Sequence, residues 1–330
     1  MKVGTIGSGF IVDMMIYAMK QTENIEVIAC YSRSEEKAKE FADKHELKKY
    51  YWDLDEMLKD DEIDTIYVAS PNSLHYPQSK KALLAGKNVI NEKPFCPTVE
   101  ECEDLFKTAK ENNVYIFEAI TNQYLPNYKT VKEHLGDVGD VKMVQCNYSQ
   151  YSSRYDKYKN HIVTNAFDPA FNGGAIMDIN VYCIHFVVGL FGRPESTHYT
   201  ATVGYNGVDT NGVLVMRYPD FVATCVGAKD SSSNNFAYVQ GDKGCIRVTG
   251  SGANVCSDVD FIGPKGDQNR FGKENPATVL GIEQDMHMTY ECKEFQRVVS
   301  SKDNETYQKM CNHTRIVVGI LERSHKQMEK

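Results

Sequence analysis

Over the first 120 residues, short apolar runs rich in β-branched side chains alternate with longer stretches whose apolar positions recur every three or four residues. The short runs read as strands buried on both faces and the longer stretches as amphipathic helices. The pattern predicts strands at residues 3–6, 25–31, 65–69, 88–91 and 114–118. It predicts helices at about 11–21, 35–45, 77–85 and 99–111, with a short acidic helix near 54–58. Pro77 is tolerated in a first helical turn. Thr98, with Glu101 three residues on, forms a capping-box arrangement. Alternation of this kind implies an α/β fold built on a parallel, doubly wound sheet.

After Pro126 the texture changes. Alternating segments at 141–148, 196–203, 212–218, 221–228, 237–240 and 245–249 are joined by short turns rich in Gly, Asp and Asn. Pro219-Asp220 and Gly241-Asp242-Lys243-Gly244 read as hairpin connections. The pattern predicts a large, open, mostly antiparallel sheet, followed by helices at 283–300 and 307–327. The boundary falls near residues 119–126, dividing the chain into 1–121 and 122–330. There is no internal repeat.

A length of 330 residues suits two domains. The net charge of -8 disfavours a nucleic-acid role, because phosphate binding needs concentrated Lys and Arg. Ten cysteines form no C-x-x-C pair and no Cys/His cluster with zinc spacing, so no metal site is expected. Scattered thiols fit a reducing compartment. The first residues run straight into strand 3–6 with no signal-peptide core. No apolar stretch is expected to reach the roughly 18–20 residues that span a bilayer. The expectation is a cytoplasmic, soluble protein.

Gly7-Ser8-Gly9 follows the first strand and leads through Phe10 and Ile11 into the first helix. Such a turn lets a dinucleotide pyrophosphate approach the backbone and rest on the helix N-terminus. Val12 stands at the third position of G-x-G-x-x-G. The second strand ends in Ser32 and Arg33, without the Asp or Glu that binds a ribose 2′-hydroxyl. A small donor and a planar cation suit a 2′-phosphate, so NADP(H) is preferred, with NAD(H) as the alternative. An Arg that caps the adenine without touching phosphate is the competing reading.

Asn91-Glu92-Lys93-Pro94 lies just past the fourth strand, where folds of this type bind ligands. A lysine there can hydrogen-bond a reacting oxygen and stabilise alkoxide charge. Upstream stands Ser70-Pro71-Asn72-Ser73-Leu74-His75. Downstream is Gly173-Gly174-Ala175-Ile176-Met177-Asp178-Ile179-Asn180-Val181-Tyr182. With these segments in this order, the chain resembles the glucose–fructose oxidoreductase / inositol dehydrogenase / MocA-type (Gfo/Idh/MocA) family along nearly its whole length.

The resemblance implies a Rossmann domain and a C-terminal α/β domain whose open sheet mediates dimers or tetramers. It implies reversible oxidation of a hydroxyl on a sugar, polyol or related diol. It places Ser70, Asn72, His75, Glu92 and Lys93 along the cofactor. Lys93 matches the active-site lysine and Asp178 the acid that positions substrate. Tyr182 matches the acid/base position, as in the branch similar to dihydrodiol and xylose dehydrogenases. Asp178 and Tyr182 are four apart on a predicted helix, hence on one face. A lysine cation near Tyr182 would favour its phenolate, bringing it closer to working pH. His185, about one turn on, reads as a packing or core histidine, with contact to substrate as the alternative.

Some positions depart from the family. Asn180 stands where Gly is common, and Thr121 and Gln123 stand where Trp and Arg are common. Residues 154–165, with Lys157, Lys159 and His161, are a candidate substrate-side loop whose simpler reading is a solvated connection. Two other functions fit the same scaffold: a catalytically silent dinucleotide-binding regulator, and an NAD-dependent glycoside hydrolase working by transient oxidation.

Overall fold

The computed structural model describes residues 1–264 and 275–328. The first 120 residues run β1 (Lys2–Ile6), α1 (Phe10–Lys20), β2 (Glu26–Tyr31), α2 (Glu35–His45), β3 (Lys49–Tyr51), α3 (Leu54–Leu58), β4 (Thr65–Val68), α4 (His75–Leu84), β5 (Asn88–Glu92), α5 (Val99–Glu111) and β6 (Ile116–Ala119). There follow α6 (Pro126–Glu133), β7 (Val141–Ser149), α7 (Tyr155–Lys159), α8 (Val181–Phe191), β8 (Ser196–Val203), β9 (Asp209–Arg217), β10 (Val222–Ala228), β11 (Phe236–Gly241), β12 (Cys245–Thr249), β13 (Asp258–Ile262) and β14 (Thr278–Val279). The chain ends in α9 (Met288–Ser301) and α10 (Asn304–Met328).

Two compact units are formed, one from Met1–Ile120 with Met288–Val318, the other from Thr121–His287 with Gly319–Lys330. The segment 288–318 therefore packs with the first unit, where the sequence reading put it in the second. Its side chains explain why. Phe295 of α9 stacks on Phe117 of β6 at 4.7 Å, Cys292 Sγ meets Met15 Sδ at 3.4 Å, and Thr314 of α10 donates to Glu118. Amphipathic spacing marks a buried face but does not say which sheet covers it.

In the first unit six strands lie in the order β3-β2-β1-β4-β5-β6, and every pairing is parallel. This is the doubly wound arrangement expected. Its switch point falls between β1 and β4, which places a crevice beyond their carboxyl ends. β3 went unpredicted. The Thr98 hydroxyl accepts from the Glu101 amide at 3.2 Å, the cap expected at the start of α5.

The second unit holds eight strands in the order β14-β13-β12-β11-β7-β10-β9-β8. All pairings are antiparallel except β7 with β10. The strands β13 and β14 are additions to the prediction. α8 is the core helix, with Val181, Cys183, Ile184, His185, Phe186, Val187 and Val188 all buried. One stretch, Pro169–Phe191, does reach the length and apolar content of a membrane span, contrary to the expectation from sequence. It is 72% buried over its most apolar window because it contains this core helix.

Candidate functional site

In the first unit the predicted cofactor residues gather at the carboxyl ends of β1, β2, β4 and β5. Gly7 adopts φ +113°, and a Cβ there would fall 2.6 Å from the Ala69 carbonyl oxygen. Only glycine lets the turn pass so close to the end of β4. Gly9 is the N-cap of α1, no side chain caps that helix, and a Cβ on Gly9 would meet nothing within 4 Å. Phe10 and Ile11 are exposed beside it. Val12, at the third position of the motif, is fully buried, its Cγ2 lying 3.4 Å from where a Cβ on Gly7 would stand. The result is an open, uncapped helix N-terminus suited to an anion.

Ser32 is half-buried at the end of β2, its amide donating to the Tyr51 carbonyl at 3.1 Å. Arg33 is exposed and has no side-chain hydrogen bond or ion pair among the described residues. Ser34 then caps α2, accepting from the Lys37 amide.

The loop after β4 carries Ser70 and a 3₁₀ turn, Asn72–Leu74. The Ser70 hydroxyl oxygen is buried without a protein partner. A buried hydroxyl left unsatisfied calls for an occupant that can bond it. Together with the bare N-terminus of α1 and the free Arg33 guanidinium, it fits these loops to a phosphorylated dinucleotide.

His75 is otherwise committed. Its Nδ1 lies 2.9 Å from the Pro94 carbonyl oxygen and its Nε2 2.9 Å from that of Ser70. Burial pushes its pKa down against the opposing pull of both carbonyls. The ring thus ties the loop after β4 to the loop after β5. Glu92 is likewise buried, Oε1 accepting from the Tyr67 hydroxyl at 2.6 Å and Oε2 from the Lys93 amide at 3.2 Å. Both side chains are thus buried and hydrogen-bonded within the protein, where they brace the loops after β4 and β5.

Lys93 is half-buried, and the Lys93–Pro94 peptide is cis. Its turn is held from several directions. Besides His75, the Asn91 side-chain amide donates to the Phe95 carbonyl at 2.6 Å, and the Phe95 amide donates to Glu118 Oε1 at 3.2 Å.

In the second unit Asp178 sits in a π turn, Ile176–Asn180, that runs directly into α8, and Tyr182 lies in the first turn of α8. The predicted regular helix is thus locally widened, a feature frequent at functional sites. Both side chains are partly exposed, and the Tyr182 ring stands edge-on to Tyr148 at 5.8 Å. The Tyr182 carbonyl accepts from the Asn122 side chain at 2.9 Å, and the His185 carbonyl from Gln123 at 2.9 Å. Of the two residues at the family's Trp and Arg positions, Gln123 therefore braces α8, beside Asn122. His185 is fully buried.

Lys229, not singled out in the sequence, pairs with Asp178 Oδ2 at 2.6 Å while only 2% exposed. Its signal was present: residues 223, 225 and 227 of β10 face inward, and the period of two carries 229 to the same side. Asn180 fits because Gly227 stands opposite, where a Cβ would lie 2.6 Å from that of Asn180. In the 154–165 loop, Lys157 is exposed, Lys159 pairs with Asp156 at 2.7 Å and His161 packs on Tyr205 at 4.4 Å. Within the same segment Tyr158 is buried against Phe167 and Val208.

Residues 1–119 match the family model of the Gfo/Idh/MocA oxidoreductase family, NAD-binding Rossmann fold, and residues 128–247 match the Gfo/Idh/MocA C-terminal domain. The chain is 34% identical over 323 residues to scyllo-inositol 2-dehydrogenase (NADP(+)) IolU of Bacillus subtilis (strain 168), covering 98% of this chain and 95% of that protein. It is 27% identical to the human trans-1,2-dihydrobenzene-1,2-diol dehydrogenase, covering 98% of this chain and 94% of that protein. The solved structure of KijD10, a 3-ketoreductase from Actinomadura kijaniata, superposes with a TM-score of 0.83 at 19% identity, covering 99% of this chain and 97% of that one. That likeness is one of fold.

Proposed function

From the premise that the chain belongs to the Gfo/Idh/MocA oxidoreductase family, we propose that Lys93, Asp178 and Tyr182 carry its reaction. The protein is an NAD(P)-dependent oxidoreductase acting on a CH–OH group of a sugar, polyol or related diol. When bound, the nicotinamide supplies the hydride acceptor or donor. The chain's own residues bind, orient and move the proton. Gly7, Gly9 and the N-terminus of α1 hold the pyrophosphate, flanked by Phe10 and Ile11. Ser70 donates to the cofactor through its unsatisfied hydroxyl, with Asn72 beside it. Ser32 and Arg33 take the 2′-phosphate, which favours NADP(H) over NAD(H).

Lys93 donates a hydrogen bond to the substrate oxygen and steadies its negative charge as the C–O bond order changes. Tyr182 accepts the hydroxyl proton in oxidation and returns it in reduction. Asp178 accepts hydrogen bonds from substrate hydroxyls and fixes which carbon reacts. The observation that carries this reading is the bracing of the Lys93 turn by His75, Glu92 and Glu118, a cost in buried polar groups that a surface loop would not require.

Copies of the chain associate through the open sheet of the second unit. There Met143 lies beside Val222, and Val213 follows on the same face, all three exposed. Ten free cysteines, nine of them buried, support a reducing, cytoplasmic setting.

The test is cofactor absorbance over inositols, aldoses, vicinal diols and their carbonyl forms, with NADP(H) and NAD(H), for wild type and Lys93→Met. The expected result is turnover that favours NADP(H), is strongest on a cyclic polyol and collapses in the variant. Absence of turnover while NADPH still binds would make the protein a dinucleotide-binding regulator. Cleavage of glycosides without net redox change would make it the hydrolase.

A further inference from the structure

The Lys229 ammonium, buried beneath the π turn, is a strong polar feature of the second unit that the proposed reaction does not itself use. The Lys229 ammonium meets Asp178 Oδ2 at 2.6 Å and the Ala166 carbonyl oxygen at 2.8 Å, and lies 4.5 Å from the centre of the Phe167 ring. Its backbone is fixed on both sides. The Lys229 amide donates to the Thr210 carbonyl, and its carbonyl accepts from the Ser152 amide, each at 2.8 Å. The buried carboxyl of Asp209, itself held by the Tyr199 hydroxyl and the Ile176 amide, feels the same ammonium.

An ammonium taken out of water carries a large desolvation cost, and packed apolar side chains often stabilise a core as well as such a pair does. The pair is also lopsided, with Lys229 2% exposed and the Asp178 side chain 38% exposed. A buried cation is thus anchored beneath a carboxylate that looks outward from a widened helical turn. An exposed aspartate has rotamer freedom at both torsions, and a cation locked on one oxygen removes it.

We propose that Lys229 is a positioning residue for the reaction: it holds the Asp178 carboxylate in the single orientation that receives the substrate's hydroxyls, and so sets which polyol or sugar carbon is presented. This rests on Asp178 contacting substrate. Lys229 itself is 2% exposed. It acts through Asp178 alone.

The test is a double-mutant cycle of Lys229→Met and Asp178→Asn, read in kcat and KM for the best polyol and in NADPH affinity by fluorescence. Lys229→Met is expected to lower kcat/KM about 100-fold, mainly through KM, as a misplaced orienting group does. NADPH affinity is expected to stay within twofold. The double variant is expected to be no worse than Asp178→Asn. Losses that multiply, or full activity in Lys229→Met, would overturn the proposal. Full activity in Asp178→Asn would instead remove the substrate contact on which it rests. Should Lys229→Met not fold, Lys229→Arg keeps the buried charge while its larger planar head displaces the carboxylate. An unchanged KM in that variant would equally overturn it.

Discussion

The Tyr67 hydroxyl donates a 2.6 Å hydrogen bond to Glu92 Oε1, linking β4 to β5 through two buried side chains. Burial pushes the Glu92 carboxyl up, against the pull of that hydrogen bond and of the Lys93 charge. Its other oxygen takes the Lys93 amide, so the contact reaches the Lys93 turn in one step. Tyr67→Phe would leave a buried carboxyl oxygen unsatisfied, at a cost of about 1–3 kcal/mol. Urea unfolding is expected to show a lower midpoint, and kcat is expected to fall while NADPH affinity holds. An unchanged midpoint would mean that the hydrogen bond is dispensable.

Gly7 and Gly9 belong to one motif but do different work. Gly7 is needed by the fold, since its φ of +113° and the Ala69 carbonyl oxygen, 2.6 Å from where a Cβ would stand, both resist a side chain. Gly7→Ala is expected to lose about 1–3 kcal/mol of stability. Gly9 has open space around it, so Gly9→Ala is expected to melt with wild type. Its methyl group would stand where a pyrophosphate approaches, and NADPH affinity is expected to drop at least about tenfold, or 1.4 kcal/mol. Fluorescence titration beside thermal melts separates the two effects. A Gly9→Ala protein that binds NADPH normally would remove the pyrophosphate from this turn.

Gly7 and Lys93 were legible in the sequence because each directly follows a buried apolar strand, and the end of such a strand in a doubly wound sheet is a ligand position. Side-chain direction was not legible. Nothing in Pro-Asn-x-x-His or Glu-Lys-Pro says that His75 and Glu92 turn inward to brace loops while Ser70 keeps its hydroxyl unsatisfied. The strand β3 escaped because Lys49, Tyr50 and Tyr51 are each half-buried and form no apolar run. Its backbone pairing to β2 holds it instead. β13 reads Asp-Val-Asp-Phe-Ile, an alternation too short and too acidic to stand apart from a loop. Lys229 escaped because a single lysine past a strand end ordinarily snorkels to water. Only its inward register speaks for burial, and its partner lies 51 residues away in sequence.

Asn180 and Gly227 form a reciprocal pair across α8's entry and β10. The Asn180 side-chain amide donates to the Cys225 carbonyl at 3.0 Å, and its Cβ fills the space that the missing Gly227 side chain leaves. Gly227→Ala would bring two carbon atoms to 2.6 Å in a closed core. The expected loss is about 1–3 kcal/mol, the ordinary cost of overpacking. Adding Asn180→Gly restores the space, at the cost of that one hydrogen bond. The double variant is therefore expected to recover most of the melting temperature, and two losses that simply add would show the residues to be independent.

Asp60 ties β3 to the rest of the first unit, accepting from Lys49 Nζ at 2.8 Å and from the Tyr51 hydroxyl at 2.7 Å. Burial alone would raise its carboxyl, but the hydrogen bonds from Lys49, Tyr51 and the Glu62 amide outweigh it and hold the pKa at about 2, below the ordinary 3.8. A depressed folded-state pKa means that the unfolded chain binds the proton first as pH falls. The stabilisation is complete above pH 3.8 and is lost as pH falls through that value towards 2. Allowing for the screening of the partly exposed Lys49, it amounts to about 1–2 kcal/mol at neutral pH. Asp60→Asn is expected to be less stable than wild type by that amount at pH 6. The gap should narrow steadily between pH 4 and pH 2 in urea unfolding, because the wild-type carboxyl is then neutral as well. A gap that stays constant over that range would show that the aspartate contributes packing and hydrogen bonds but no charge.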